Sequence, residues 1–289
     1  MIPGSFDYHA PKTLPQALEL LAQFGEEAKV LSGGQSLLPL LKLRFAQPAH
    51  LVDIGRIPGL DYIKEEGGFL LIGALVREAA LEASPLVQSK YRILVDTAAV
   101  IADPIVRNLA TVCGNLAHGD PANDHPATML ALGASVVVTG PKASRTIPVA
   151  QFFTGIFTTA LQPTEVLTEI RIPIPPAGSG GAYVKLERKV GDFATAGAAA
   201  FVVMKGGTIE RAGIGLTNAG PTPIKATEAE KYLTGKKADE ASFAEASRLA
   251  AAATSPSPDR RGATDYKKDM ARVLTVRALR KAAERAGGK

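Results

Sequence analysis

The stretch Lys29-Val30-Leu31-Ser32-Gly33-Gly34-Gln35-Ser36-Leu37-Leu38-Pro39 joins one apolar run to another through two adjacent glycines flanked by serines. Glycine adopts positive φ readily and lets another group approach the backbone closely. Successive backbone N–H groups in such a turn form a nest that binds an anion, commonly a phosphate. The stretch is not Gly-x-Gly-x-x-Gly, and no Gly-Lys-Ser/Thr follows, so neither the Rossmann fingerprint nor the P-loop applies. An ordinary turn is the alternative.

A second loop of similar character covers residues 111–124, Thr-Val-Cys-Gly-Asn-Leu-Ala-His-Gly-Asp-Pro-Ala-Asn-Asp. It is long, polar and rich in small residues, and long loops inside a compact domain are usually functional or disordered. The apolar residues that alternate with its glycine, asparagine and aspartate argue against disorder. We predict that the two nest-forming loops hold the two ends of one long ligand that contains phosphate.

Together the loops resemble the paired flavin loops of the FAD-binding medium subunits of molybdenum hydroxylases, where they commonly read Ala-Gly-Gly-His-Ser and Thr-Ile-Gly-Gly-Asn. This family includes the flavin subunits of carbon monoxide dehydrogenase and of xanthine dehydrogenase, and the chain is more similar to the former. The likeness begins with Ile-Pro-Gly-Ser-Phe-Asp-Tyr at residues 2–8 and includes Ile-Ala-Asp-Pro at 101–104. It continues through Lys-Leu-Glu-Arg-Lys-Val-Gly-Asp at 185–192 to Gly262, and so covers nearly the whole chain.

The resemblance implies an α+β protein with a two-part FAD-binding domain of the vanillyl-alcohol-oxidase, or PCMH, type. A C-terminal domain of the CO dehydrogenase flavoprotein type follows, with an expected three-stranded antiparallel sheet and a helical bundle. We place the FAD-binding subdomains at residues 1–57 and 58–176, and the last domain at 177–289. The boundary lies in Pro-Ile-Pro-Pro-Ala-Gly-Ser-Gly-Gly, residues 173–181, whose proline and glycine content cannot continue a strand or a helix.

Local signals predict individual elements. Thr13 as N-cap, Pro15 in the first turn and Gly25 as the stop indicate a helix over residues 17–24. A second helix is predicted over 37–45, and Gly67-Gly68 is the expected turn of a hairpin. Residues 111–124 are predicted to be a loop. In the last domain we predict three strands, at residues 182–186, 198–204 and 209–216.

FAD has an anionic pyrophosphate, a ribityl arm and a flat tricyclic ring, so its site needs N–H donors and groups that bind hydroxyls. The resemblance implies a set of cofactor-binding residues in both loops and beside them. They are Lys29, Ser32, Gly33, Gly34, Gln35, Ser36, Leu37, Ile101, Ala102, Val106, Thr111, Cys113, Gly114, Asn115, Ala117, Gly119, Asp120, Asp124, Leu161, Lys185 and Phe193. Asp120 and Asp124 are expected to accept from ribityl or ribose hydroxyls, because a carboxylate repels phosphate. Asp120 before Pro121 is alternatively a common turn pair.

Two of these residues lie in the predicted last domain. In the family, the turn that matches residues 189–195 folds back over the flavin site and usually has Tyr or Trp at the position of Phe193. An aromatic side chain there can cover the flavin ring, and Lys185 can stabilise negative charge on a reduced flavin. The alternatives are a surface lysine and a phenylalanine packed in the core.

The sequence departs from the family pattern at four positions. Gln35 replaces the usual histidine, which removes a titratable group but keeps a donor and an acceptor. Ser32 replaces alanine, Cys113 replaces glycine, and Phe193 lacks a hydroxyl. None of these changes removes the nest, so FAD binding is expected to be retained. Cys113 is either a buried inert thiol or a flavin contact.

The composition limits the class of protein. Of the 289 residues, 46% are hydrophobic and 21% charged, as in ordinary globular proteins. No run approaches the roughly 20 apolar residues that span a bilayer, and the N-terminus lacks a signal pattern. We expect a cytoplasmic protein, with peripheral attachment to the inner face of the cytoplasmic membrane left open. The single cysteine excludes an internal disulfide framework, and the spacing of the four histidines predicts no metal site.

The net charge of +5 is concentrated near the C-terminus, at Lys267, Lys268, Arg272, Arg277, Arg280, Lys281, Arg285 and Lys289. A basic terminal helix could bind an acidic partner subunit or an anionic membrane, and a solvated helix face is the alternative. Nucleic-acid binding is not expected, because aromatic residues make up only 6% of the chain and none lies between these charges.

The sequence offers no catalytic residue of its own. The resemblance therefore implies an electron-transfer subunit of an oxidoreductase, with a dimer of heterotrimers as the expected assembly of the whole enzyme. Partner subunits are expected to carry [2Fe–2S] clusters (small) and the molybdenum cofactor (large), and electrons would leave FAD for quinone, another acceptor or dioxygen. Carbon monoxide dehydrogenase is the first candidate. Aldehyde, purine and N-heteroaromatic hydroxylases are alternatives, as are a self-contained flavin oxidase and a non-enzymatic assembly subunit.

Overall fold

The computed structural model describes residues 2–287. Its strands are β1 (Asp7–His9), β2 (Ala28–Leu31), β3 (His50–Asp53), β4 (Ile63–Glu66), β5 (Phe69–Gly73), β6 (Ser135–Thr139), β7 (Ser144–Pro148), β8 (Phe153–Gly155), β9 (Thr158–Thr159), β10 (Val166–Pro173), β11 (Ser179–Leu186), β12 (Ala196–Lys205), β13 (Thr208–Thr217) and β14 (Ile224–Lys225). Its α-helices are α1 (Leu14–Phe24), α2 (Leu37–Lys42), α3 (Glu78–Ala83), α4 (Pro85–Lys90), α5 (Arg92–Ala99), α6 (Pro104–Arg107), α7 (Val112–His118), α8 (Asp124–Leu132), α9 (Thr227–Leu233), α10 (Glu240–Ala252) and α11 (Thr264–Ala286).

The first part of the chain forms a small parallel sheet in the order β1-β3-β2. Helix α1 packs on it through an apolar stripe that includes the fully buried Ala17 and Leu21. The predicted end signals are confirmed, because Thr13 Oγ1 accepts a hydrogen bond from the Gln16 N–H and Gly25 ends the helix at φ +54°. The first glycine loop begins at the carboxyl end of β2.

The central sheet is antiparallel, in the order β4-β5-β10-β6-β7. Ile170 of β10 lies opposite Ile72 of β5 on one side and Val136 of β6 on the other, and all three side chains are fully buried. Helices α5, α7 and α8 contribute to the same apolar core. The predicted hairpin turn at Gly67-Gly68 is confirmed, and both glycines have positive φ. Val112, Cys113 and Leu116, from the second predicted loop, are part of this core.

The second predicted loop is in part a helix, so that prediction is wrong for residues 112–118. Thr111 is the N-cap, because its hydroxyl accepts from the Gly114 N–H at 3.2 Å. Val112 and Leu116 face the core, and Gly119 ends α7 in the left-handed conformation at φ +68°. Seven residues with two glycines at or near the ends give a weak helical signal in sequence. The consequence is a helix N-terminus where a ligand-binding loop was expected.

Helix α2 is shorter than predicted and ends at Lys42 instead of residue 45. Arg44 has φ +60°, and the N–H groups of Phe45 and Ala46 both turn back to the Leu40 carbonyl. The chain therefore leaves the helix in a tight turn that leads to β3.

The last sheet has four antiparallel strands, β11-β12-β13-β14, instead of the predicted three. β14 has only two residues and follows Pro223, so it carries no periodic pattern. β11 begins at Ser179, inside the predicted boundary segment, where it pairs with Val203 of β12. The glycines of that segment serve packing, since a Cβ on Gly180 would lie 2.2 Å from the Ala282 carbonyl oxygen of α11. Helices α9, α10 and α11 cover this sheet and share its core.

Most of the basic residues near the C-terminus are paired within the chain. The ion pairs are Lys267–Asp259, Arg272–Asp269, Arg280–Glu240, Lys281–Asp96 and Arg285–Asp96. Lys289 lies outside the described residues. The pairs with Asp96 fasten α11 to α5, so much of the charge holds the helix to its own chain. Among residues 2–287, no helix has both the length and the apolar character required to cross a bilayer.

Candidate functional site

The two glycine-containing segments lie directly against each other. A Cβ on Gly33 would be 2.4 Å from the Leu109 carbonyl oxygen and 2.9 Å from the Thr111 nitrogen, so only glycine fits at this contact. The hydroxyls of Ser32 and Thr111 are 3.1 Å apart and share a hydrogen bond. The segments therefore form one joint cradle. That they hold the two ends of one long ligand stays a prediction.

The first segment presents a row of free donors. Within residues 2–287, the backbone N–H groups of residues 32–36 donate to no protein acceptor. Gly34 has φ +75°, which turns the backbone into α2. The Gln35 side chain donates to the Gly33 carbonyl at 3.1 Å and so stabilises the turn from within. Donors without an acceptor are what the predicted nest requires, and anion binding by it stays a prediction.

The second segment is fixed by backbone pairing to the start of α3. The Val112 N–H donates to the Val76 carbonyl, and the Glu78 N–H donates to the Ala110 carbonyl, each at 3.0 Å. On α7, the Asn115 Oδ1 is buried and has no hydrogen-bond partner among the described residues. A buried amide group without a partner is costly, which makes this atom a candidate ligand contact.

A third predicted segment, the turn between β11 and β12, packs against the residues that precede α6. Gly191, at φ +79°, packs against Ala102, and a Cβ there would lie 2.4 Å from the Ala102 carbonyl oxygen. Ala102 itself has the uncommon φ of +44°. This contact places the turn that carries Phe193 beside the segment that leads into α6. Phe193 is 49% exposed, so the alternative of a core-packed phenylalanine is wrong.

Lys185 and Asp124 are joined in a buried network. Lys185 Nζ lies 2.9 Å from Asp124 Oδ2 and donates to the Val100 carbonyl at 2.9 Å. The Tyr183 hydroxyl donates to Asp124 Oδ1 at 2.6 Å. Burial raises the pKa of Asp124, and the Lys185 charge opposes that rise. The alternative of a surface lysine is wrong, because only 2% of the Lys185 side chain is exposed; the expected contacts of both residues with FAD stay predictions.

Cys113 lies on the core face of α7. Its Sγ is 3.6 Å from the Gly73 carbonyl oxygen and 3.7 Å from that of Ile72. Burial raises the pKa of the thiol well above its ordinary range. The side chain therefore packs into the core, as the alternative of a buried inert thiol predicts.

Other predicted residues differ in exposure. Asp120 Oδ1 accepts from the Ala122 N–H at 2.8 Å, as the turn alternative requires. Lys29 lines an open cleft of about 620 Å³ with Phe45 and the segment 46–49, and no residue of the cradle lines that cleft. The half-buried members of the predicted set are Ser32, Gly33, Gly34, Gln35, Ser36, Leu37, Ala102, Val106, Gly114, Asn115, Ala117, Asp120 and Leu161. The buried ones are Ile101, Thr111, Cys113, Gly119 and Asp124.

Three features of the site were not found from sequence. The Leu109 carbonyl that receives Gly33, the Ala102–Gly191 contact and the Arg261–Asp192 ion pair all depend on residues distant in the chain. Within residues 2–287, no group of three or more His, Cys, Asp or Glu side chains is arranged to hold a metal ion.

Two family models match the chain. Residues 4–175 match the FAD binding domain in molybdopterin dehydrogenase, and residues 181–282 match the CO dehydrogenase flavoprotein C-terminal domain. The chain belongs to this family of FAD-binding molybdopterin dehydrogenase subunits, as the resemblance of the two loops predicted.

Individual members of the family are similar to the chain over nearly its whole length. The chain is 47% identical over 286 residues to the carbon monoxide dehydrogenase medium chain of Afipia carboxidovorans, which covers 99% of each chain. It superimposes with a TM-score of 0.96 on a chain of carbon monoxide dehydrogenase from Hydrogenophaga pseudoflava, at 49% identity and 99% coverage of both. It is also 38% identical over 287 residues to the alpha subunit of the 6-hydroxypseudooxynicotine dehydrogenase complex of Paenarthrobacter nicotinovorans, covering 99% of this chain and 97% of the relative.

The cradle fits FAD on its own chemistry. The free N–H groups of residues 32–36 suit an anionic pyrophosphate, and the absence of a side chain at Gly33 keeps the two segments in contact. The unpartnered Asn115 Oδ1 suits a hydroxyl or an N–H of a ligand.

Proposed function

We propose that this chain is the FAD-binding, electron-transferring medium chain of a heterotrimeric molybdenum hydroxylase that oxidises carbon monoxide. The observation that carries the proposal is the joint cradle of two glycine-containing segments, in a chain 47% identical over its length to a carbon monoxide dehydrogenase medium chain. Bound FAD would supply a two-electron carrier between the [2Fe–2S] clusters of a small subunit, which relay electrons from the oxidised substrate, and quinone or another acceptor.

The residues of this chain bind and orient the cofactor. The N–H groups of residues 32–36 hold the pyrophosphate, and Asn115 binds a polar group of the ribityl arm. The turn that carries Phe193 covers the ring system and limits access of water. The other predicted residues complete the site, and they are Lys29, Leu37, Ile101, Ala102, Val106, Thr111, Cys113 through its backbone, Gly114, Ala117, Gly119, Asp120, Asp124, Leu161 and Lys185.

The partners are a small iron–sulfur subunit and a large molybdenum subunit, assembled as a dimer of heterotrimers. Two exposed apolar side chains near the cradle support a subunit interface in this region. Ile105 is 76% exposed and Leu109 is 49% exposed, on the segment between α5 and α7. Exposed apolar patches often mark interaction sites. We also propose that the three parts of the chain divide at residues 57 and 176, and that the assembled enzyme is cytoplasmic.

A second candidate is the flavin subunit of an aldehyde, purine or N-heteroaromatic hydroxylase. The specific observation in its favour is the 38% identity to a subunit of a 6-hydroxypseudooxynicotine dehydrogenase complex. The family-atypical Gln35 and Phe193 are compatible with either candidate. A self-contained flavin oxidase has less support, because it needs a base beside the flavin ring, and the buried Lys185 is already paired with Asp124.

The test is purification of the native complex, followed by analysis of its subunits, flavin, iron and molybdenum. Three chains with FAD, iron–sulfur bands and molybdenum, reduced by carbon monoxide, are the expected result. Reduction by an aldehyde, a purine or an N-heteroaromatic compound instead selects the second candidate. A lone yellow chain of about 30 kDa that turns over a substrate by itself contradicts both, and so does a chain that takes up no FAD.

A further inference from the structure

The connection between α10 and α11 lies next to the turn that carries Phe193. We call residues 254–262 the strap. Arg261, in the strap, donates from Nη2 to Asp192 Oδ1 at 2.9 Å. Its guanidinium carbon lies 5.8 Å from the centroid of the Phe193 ring, which is within the range of a cation–π contact. One side chain therefore touches both the acidic residue and the aromatic residue of the turn.

Asp192 links Arg261 to the backbone of the turn. The same Asp192 Oδ1 accepts a hydrogen bond from the Phe193 N–H at 2.8 Å. The Asp192 N–H in turn donates to the Lys189 carbonyl at 3.0 Å. The Asp192 side chain is 10% exposed and the Arg261 side chain 27%, whereas the surface pair Arg272–Asp269 has 46% and 52%. The Arg261–Asp192 pair is thus partly shielded from solvent, where an ion pair is stronger than at the surface.

The strap is itself anchored, so it can act as a support. The Ser255 N–H donates to the Ala219 carbonyl at 2.8 Å. Asp259 Oδ1 accepts from the Arg261 N–H at 2.8 Å. Lys267 Nζ, at the start of α11, contacts both Asp259 Oδ2 at 2.8 Å and the Ser257 carbonyl at 3.0 Å. The Lys267 side chain is only 2% exposed, so these contacts fix the strap to α11 through a buried charge.

Phe193 needs such support more than a tyrosine would. Its ring has no polar atom, so hydrogen bonding cannot fix the orientation of the ring. The turn is held at one end where Gly191 packs on Ala102, and at the other where Asn218 Nδ2 donates to the Ala194 carbonyl at 2.8 Å. Between these points, Arg261 supplies a charge beside the half-exposed ring.

We propose that Arg261 is a positioning residue of the FAD site, which fixes the Asp192–Phe193 turn and the orientation of the Phe193 ring over the cofactor. This inference rests on the proposed function, because it requires FAD to occupy the cradle and its ring system to reach Phe193. Arg261 acts through Asp192 and Phe193 and does not itself contact the cofactor.

The test uses the full chain in its native complex, with Arg261→Ala, Arg261→Lys and Phe193→Ala variants. Three quantities are measured: the dissociation constant of FAD from flavin fluorescence, the visible absorption spectrum of the bound flavin, and its reduction potential. We expect Arg261→Ala to weaken FAD binding by about tenfold and to change the spectrum in the same direction as Phe193→Ala. Arg261→Lys keeps the charge and is expected to recover part of the affinity.

A matched control and a double variant test whether Arg261 affects FAD binding through Phe193. Arg272→Ala breaks an exposed Arg–Asp pair of α11, and its flavin properties are expected to equal those of the wild type. In the Phe193→Ala background, Arg261→Ala is expected to add less than a twofold change. If Phe193→Ala alters the spectrum and affinity but Arg261→Ala and Arg261→Lys match the wild type, the positioning role is overturned and the proposed function stands. If the wild-type chain binds no FAD, both fail.

Discussion

Lys185 and Asp124 form an ion pair that is almost completely buried, with 2.9 Å between Nζ and Oδ2 and exposed side-chain fractions of 2% and 7%. The pair joins β11 of the last sheet to the first residue of α8. Tyr183, on the same face of β11, donates to the other oxygen of Asp124. Two residues expected to serve the cofactor therefore also connect the part of the chain that holds the cradle to the last sheet.

Replacing Asp124 with Asn should destabilise the chain strongly. The variant keeps the shape of the side chain but removes the nearer carboxylate from the buried Lys185 charge, which leaves Glu187 Oε2, 3.3 Å from Nζ, as its acidic partner. Breaking a buried ion pair typically costs about 3–5 kcal/mol, and Glu187 should hold the loss to the lower end of that range. The free energy of unfolding, measured by urea titration without added FAD, checks this. Asp269→Asn removes a partner from an exposed pair and should cost at most about 1 kcal/mol. The double variant Asp124→Leu/Lys185→Met should recover at least half of the loss; equal or greater destabilisation would contradict the pairing argument.

Replacing Gly33 with Ala should separate the two segments of the cradle. The added Cβ would lie 2.4 Å from the Leu109 carbonyl oxygen, so one backbone segment must move. Overpacking of this kind costs about 1–3 kcal/mol of stability. We expect FAD affinity to fall at least tenfold, as measured by flavin fluorescence. Gly4→Ala is the matched control, because its Cβ would approach only the end of the Gln47 side chain, at 3.8 Å. Unchanged FAD binding in Gly33→Ala would rule out the joint cradle.

Cys113 should be unreactive in the folded chain. Its thiol is buried on α7, and burial raises the pKa, so the reactive thiolate does not form at pH 8. Labelling with a thiol reagent should be slow in buffer and rapid in denaturant. The raised pKa also makes stability depend on pH. Above about pH 8.5 the unfolded thiol loses its proton while the folded thiol keeps it, so the free energy of unfolding falls as the pH rises through that value. Rapid labelling of the native chain would contradict the observed packing.

The sequence could predict elements with complete local signals, but not contacts between distant segments. Helix α1 has its N-cap Thr13 and its stop Gly25 within the stretch, and both act as predicted. Helix α7 was missed because it is short and rich in small residues, so its three core-facing positions form no clear periodicity. β14 was missed because two residues give no alternation.

In the candidate site, too, local features could be predicted and contacts between distant segments could not. The nest at residues 32–36 depends on adjacent residues and was predictable, whereas its contact with Leu109 was not. Arg261 and Asp192 are 69 residues apart and give no shared local pattern. The burial of Lys185 did have an unused signal, because Tyr183 and Lys185 are two residues apart on β11 and must share a face. A tyrosine that faces the core implies that its neighbour on that face is also inside.

Acidification should destabilise the chain through His118, at the end of α7. Burial lowers the pKa of His118, and the nearby Asp120 opposes this only in part. The unfolded chain therefore binds a proton near pH 6.5, the usual value for histidine, while the folded chain does not until the pH is lower. Because the unfolded state holds more protons in this window, stability is complete above about pH 6.5 and is lost as the pH falls below it.

The measurement is the free energy of unfolding at several pH values between 5 and 7.5, for the wild type and for His118→Gln. Glutamine keeps a polar group beside Phe157, whose ring centroid lies 5.2 Å from that of His118, but it does not titrate. The slope of the free energy of unfolding against pH reports the difference in protons bound by the unfolded and folded states. We expect this difference to be smaller in the variant by up to one proton, because one histidine binds at most one. FAD affinity should fall over the same range in the wild type, since α7 carries Asn115 and ends at this histidine. Identical slopes in the two proteins would show that another group causes the acid sensitivity.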